Sequence, residues 1–202
     1  GTEVGLPASV FLWALFRLCV QRIVLWTHEI AELRVRRAMG FKIPSVVSIA
    51  GSDSSGGAGI QADLKTIEAL GLFAQTAITA LTAQNTLGVS GVLDVPSEFV
   101  VEQIDAVFGD IHPSAVKIGM VSSASNVVAI AESLRAHAAE NIVVDPVMVS
   151  KSGSSLISDD ASEALTGRLF PLASVITPNS PETDVLWGRR IATKRDMETA
   201  AG

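Results

Sequence analysis

The chain has 202 residues, enough for one α/β domain with a sizeable core. Its net charge of −6 argues against nucleic-acid binding through general electrostatics. A single cysteine, Cys19, excludes an internal disulfide framework and a cysteine-based zinc site, and suits a reducing cytoplasm. The three histidines, His28, His112 and His137, are scattered without metal-ligand spacing.

Residues 1–42 differ from the rest and read as an atypical N-terminal appendage; a single α/β domain is expected over 43–202. Val10 to Trp26 is rich in Leu, Val, Phe and Trp, but Arg17, Gln21 and Arg22 interrupt it. It is shorter than the ~20 apolar residues a membrane span needs. Its basic residues lie within and after the apolar run, not before it as in a secretory signal. An amphipathic appendage fits this pattern better than a membrane-surface element.

From Ile43 the pattern is regular. A strand is expected at 45–50, followed by a glycine loop and a helix to about Leu70. A second strand runs from Ala74 to Leu81 and ends at Thr82-Ala83-Gln84-Asn85-Thr86. A short extended piece, Gly91 to Val95, precedes a helix from Ser97 to Phe108. Further strands are expected over 115–120, 141–145 and 174–177. The intervening helices run from about Ser123 to Ala138 and Asp159 to Leu169. Lys194 to Ala200 looks like the start of another helix. Short apolar strands alternating with amphipathic helices imply a parallel sheet covered on both faces. Asp53, Gln84, Asn85, Met120, Asp145 and Asn179 fall at the C-terminal strand ends, the edge where open α/β sheets bind ligands.

The central stretch is Val46 to Asp63, VVSIAGSDSSGGAGIQAD: strand, glycine-rich turn, helix. Gly51 to Gly56 is not followed by a lysine, so a Walker A loop fails. Gly57, Gly59 and Ala62 fit a dinucleotide fingerprint, but the second strand ends in an amide pair where that motif wants an acid. Asp63 falls within the apolar arc of the helix, between Leu70 and Ile67. A dipole-complementing acid in the first turn is the plain explanation. A ligand-facing role better explains a carboxylate on the core side, where an unpaired charge is costly.

GSDSSGGAGIQADLKT, ALTAQNT, VKIGM, VVDPVMVSKSG and ITPNSPE follow one another in register. Together they resemble the hydroxymethylpyrimidine and phosphomethylpyrimidine kinases of thiamine biosynthesis, from about Pro44 to Trp187. The resemblance implies a ribokinase-like, three-layer α/β/α fold with a mostly parallel central sheet. It implies ATP as co-substrate, Mg2+, a small pyrimidine substrate, a cytoplasmic setting and a homodimer, with no nucleic-acid partner. By resemblance, Gln84 pairs with the aminopyrimidine through its amide. Asp63, Met120, Gly51 and Asp53 belong to the substrate pocket. Asp145 and Glu182 lie on the magnesium side, and Asn179 and Lys151 on the nucleotide side.

Each assignment has a plainer counterpart. Met120 is explained as well by core packing, Asp145 by a turn before Pro146, Asn179 and Glu182 by a helix start, and Lys151 by a solvated loop. The family also carries a late Gly-Thr-Gly segment whose amides form an anion hole. No such segment occurs in these residues, and Cys19 lies too early to replace its catalytic residue. The chain is therefore expected to be an incomplete fold, inactive by itself. A pyridoxal kinase and a fragment retaining only substrate binding are the alternatives.

Overall fold

The computed structural model describes residues 44–148 and 157–200. The appendage expected over 1–42 and the candidate Lys151 lie outside the described residues. Six strands form one sheet: β1 Ser45–Asp53, β2 Phe73–Asn85, β3 Gly88–Asp94, β4 Ala115–Ile118, β5 Ile142–Val144 and β6 Val175–Ile176. The spatial order is β3-β2-β1-β4-β5-β6. All neighbours are parallel except β2 and β3, which pair antiparallel.

The helices are α1 Gly59–Ala69, α2 Ser97–Gly109, α3 Ala124–Ala136, α4 Asp159–Ala164, α5 Ser180–Trp187 and α6 Lys194–Ala200. A π-helical turn, Leu165–Leu169, continues α4. Strand alternation divides the sheet's side chains between two faces. Val47, Ile49, Val116, Ile118, Ile142 and Val144 meet Val100 and Ile104 of α2 and Ile130 and Leu134 of α3 in the main core. Val46 and Ala115 face the other way and pack with Ile67 of α1.

Two strands are longer than their apolar runs suggest. β1 continues through Gly51, Ser52 and Asp53, with a register shift between Ala50 and Ser52. β2 continues to Asn85 because β3 returns alongside it, pairing Leu81 with Leu93 and Asn85 with Gly88. Asn85 Oδ1 closes the turn by accepting from the amides of Leu87 and Gly88. Gln84 and Asn85 therefore sit in a hairpin, not in a strand-end loop. The sequence pattern missed this because β3 is almost wholly exposed and shows no buried face.

Candidate functional site

The glycine loop is held from within by Asp53. Its Oδ1 accepts from the Ser55 amide at 2.8 Å, and its Oδ2 from the amides of Gly57 at 3.0 Å and Ala58 at 2.8 Å. The Ser55 hydroxyl adds a further bond. Burial acts to raise the Asp53 pKa, but the bonds from Ser55, Ala58 and Gly57 outweigh it and leave it below the ordinary value. Asp53, expected to contact substrate, is 3% exposed with both oxygens engaged by the loop. The three amides need an acceptor, and the nearest carboxylate supplies it.

Gln61 completes the clamp. It accepts from the Asp53 amide at 2.8 Å and donates to Ser52 Oγ at 2.7 Å. Gly59 closes the loop against β1; a Cβ there would lie 2.3 Å from Gly51 O, and its φ of +54° also favours glycine.

Gly51 and Met120 are brought together. A Cβ on Gly51 would sit 2.6 Å from Met120 Cε, so the missing side chain makes room for the methionine. The Met120 carbonyl accepts from buried Thr79 at 2.7 Å. Beside them, Ser54 Oγ holds the Gln84 backbone at both ends, donating to its carbonyl at 2.7 Å and accepting from its amide at 2.8 Å. Thr82 Oγ1 stands 3.2 Å from Gln84 Oε1, while the Gln84 NH2 donates to none of the described residues.

Asp63 lies on the α1 face, as its helical position implies, but it is not unpaired. Its Oδ2 accepts from Ser48 Oγ at 2.6 Å and from Lys117 Nζ at 2.9 Å. Lys117 also stands 3.9 Å from Asp145 Oδ2. Lys117 went unremarked in the sequence, although the signal is there. In AVKI the lysine takes the alternate position, facing away from Val116 and Ile118 and toward the acid of α1.

Burial raises the pKa of Asp145; the Lys117 charge lowers it and the Asp63 charge raises it, with a net upward shift. Glu182 is 2% exposed, and burial raises its pKa to about 7, helped by the charge of Asp145. Glu182 Oε2 accepts from the Asn179 amide at 2.7 Å, and Asn179 Oδ1 accepts from the Glu182 amide at 2.9 Å. This reciprocal capping box starts α5. The helix-start role of both residues is thus present whatever else they do. No hydrogen bond or ion pair links Gln84 to Asp63 among the described residues.

Residues 53–202 match the family model described as phosphomethylpyrimidine kinase. The chain belongs to the phosphomethylpyrimidine kinase family. It is 56% identical over 146 residues to the hydroxymethylpyrimidine/phosphomethylpyrimidine kinase of Rhizobium meliloti, covering 72% of this chain and 54% of that protein. It is 53% identical over 173 residues to a thiamine biosynthesis bifunctional protein of Geobacter sulfurreducens, covering 86% of this chain and 35% of that one.

Among solved structures, the phosphomethylpyrimidine kinase of Clostridium difficile matches with a TM-score of 0.73 and 51% identity, over 79% of this chain and 68% of that one. A pyridoxal kinase of Staphylococcus aureus, solved with AMP-PCP and pyridoxal, matches with a TM-score of 0.71 and 34% identity, over 80% and 58%. The three-layer, mostly parallel architecture is that of these ribokinase-like kinases. The chain spans about half the length of the curated phosphomethylpyrimidine kinases it matches. No helix among its described residues is long and apolar enough to cross a membrane.

Proposed function

We propose that this chain carries the acceptor side of an ATP-dependent kinase acting on 4-amino-5-hydroxymethyl-2-methylpyrimidine or its monophosphate. The observation that carries this reading is Gln84. Ser54 fixes its backbone, and its side-chain NH2 donates to none of the described residues. An amide in that position offers a donor and an acceptor to an aminopyrimidine edge. Met120, seated over Gly51, gives the flat ring an apolar wall. Asp63 supplies a carboxylate held against β1 and β4, one oxygen of which has no bond to any described residue.

On the phosphate side, Asp145 and Glu182 are hard oxygen donors whose raised pKa values reflect burial and, in part, their neighbours' negative charge. A cation would relieve both causes. No group of three or more His, Cys, Asp or Glu among the described residues could hold a metal alone. Mg2+ binds through one or two carboxylates together with substrate phosphates and water, so the pair fits that ion. When bound, the ion would neutralise phosphate charge. The chain's own residues would align the pyrimidine hydroxyl, and positioning of this kind is most of what phosphoryl transfer asks of a protein.

The anion-hole segment implied by the family resemblance is not among these 202 residues, so binding is the measurement that tests the reading. Titration calorimetry with the 202-residue chain should show binding of the pyrimidine. Gln84→Ala should weaken it by roughly 1–3 kcal/mol, the cost of leaving a ligand donor or acceptor unpaired. Unchanged affinity would remove Gln84 from the site. Preference for pyridoxal over the aminopyrimidine would favour a vitamin B6 kinase instead.

A further inference from the structure

Lys117 is an unusual occupant of its strand. Its neighbours Ala115, Val116 and Ile118 are all buried and apolar, and its own side chain is only 20% exposed. A lysine placed there gives up much of its hydration. Replacing such a buried pair by apolar residues is often neutral or stabilising, so stability alone gives little reason for it.

The surroundings are shaped to admit it. A Cβ on Gly119 would lie 2.7 Å from Lys117 Nζ and 2.9 Å from Ala50 Cβ. The glycine is thus required by space, and the ammonium passes over it.

The contacts show what the ammonium does. Lys117 Nζ and the buried Ser48 hydroxyl both reach the same oxygen of Asp63, at 2.9 and 2.6 Å. Two donors converging from adjacent strands on one oxygen fix the rotation of the carboxylate. The other oxygen, Oδ1, has no bond to any described residue. Asp145 at 3.9 Å is beyond hydrogen-bond reach, so it feels Lys117 as a charge only. Without the lysine, Asp63 and Asp145 would face each other with no cation between them.

The geometry points to Lys117 as a positioning residue of the pyrimidine site, which with Ser48 pins one oxygen of Asp63 so that the other is presented to the ligand. This inference rests on the reading of the site given above. It makes Lys117 act through Asp63 and without touching the ligand itself.

The test is calorimetry of the 202-residue chain with 4-amino-5-hydroxymethyl-2-methylpyrimidine, with thermal melting of each variant alongside. Lys117→Met should weaken binding by the folded variant about tenfold or more, the scale of one charge-assisted hydrogen bond. Asp63→Asn should weaken it at least as much. The double variant should bind within about twofold of Asp63→Asn alone, because two changes acting through one contact do not add. Ser48→Ala removes the second donor with little risk to folding and should weaken binding about threefold or more.

A folded Lys117→Met that binds like the parent overturns the inference, and so do losses that multiply in the double variant. If Lys117→Met does not fold, Ser48→Ala decides: parental affinity overturns the pinning. A parent chain that fails to bind the pyrimidine overturns the functional reading itself. A parent that binds, loses binding on Gln84→Ala and ignores Lys117→Met overturns this inference alone.

Discussion

The two faces of the sheet are built differently. One face carries Val47, Ile49, Val116, Ile118 and Val144 and is covered by α2, α3 and the α4 region mainly through apolar contact, with Gln103 of α2 and Asn126 of α3 bonded to the β2 backbone. The face under α1 mixes a small apolar cluster, Val46, Ala115 and Ile67, with Ser48, Asp63 and Lys117 in one hydrogen-bonded set. Apolar contact is non-directional and tolerates exchange of similar shapes. A part-buried ion pair tolerates the loss of neither member. The first face therefore holds the fold, and the second holds geometry.

The largest effect should come from the apolar face. Ile130 of α3 is fully buried there. Ile130→Ala should lower stability by about 2–5 kcal/mol, the usual cost of deleting a buried aliphatic side chain and leaving a cavity. Urea denaturation would measure it. Pyrimidine affinity of the folded fraction should stay within about twofold, since Ile130 belongs to a core cluster that contains none of Gln84, Asp63, Gly51 and Met120. Loss of affinity in a folded variant would show that the two faces are not separable.

Asp53 gives the next effect, at the loop that joins β1 to α1. Asp53→Ala strips acceptors from the amides of Ser55, Gly57 and Ala58. A loss of about 1.5–3 kcal/mol is expected. The folded pKa of Asp53 lies below its ordinary 3.8, so its contribution is complete above that value and disappears as pH falls through the lowered folded pKa. The gap between parent and variant in urea melts should be full at neutral pH and narrow in acid. A gap that persists unchanged below the folded pKa would mean that the charge is not what holds the loop.

Much of this arrangement was legible in the residues. Strand and helix spans followed from apolar period, and the placement of Asp63 on the sheet side of α1 followed from 100° steps around the helix. What escaped was pairing. No local pattern tells that Asp63 meets Lys117, 54 positions later, because the contact is made by the sheet order β1-β4. The bracing role of Asp53 escaped for the opposite reason. Its partners are only two to five residues away, and a strand-end acid before glycines reads equally as ligand or loop brace. The β2–β3 hairpin was hidden by exposure: Leu87, Val92 and Leu93 lie outward, so its apolar residues mark no core face. Asn179 and Glu182 were readable as a helix start from Ser180-Pro181-Glu182, and that role is present.

The smallest expected effect belongs to Glu182, which lies on neither cluster and so tests how far the charged set extends. Its folded pKa is about 7 against an ordinary 4.5, mainly through burial and partly through Asp145. The folded chain therefore holds a proton that the unfolded chain has released between those values. The sign follows: this group's contribution is most favourable below about pH 4.5 and is lost as pH rises toward 7. Glu182→Gln keeps the carbonyl that accepts from the Asn179 amide but removes the titration. The variant should match its parent in acid and become the more stable of the two as pH rises toward neutral. Parallel pH–stability curves for the two chains would mean that Glu182 is solvated in the fold. The carboxylates of α5 and β5 would then be electrostatically separate, and the charged set would end at Lys117.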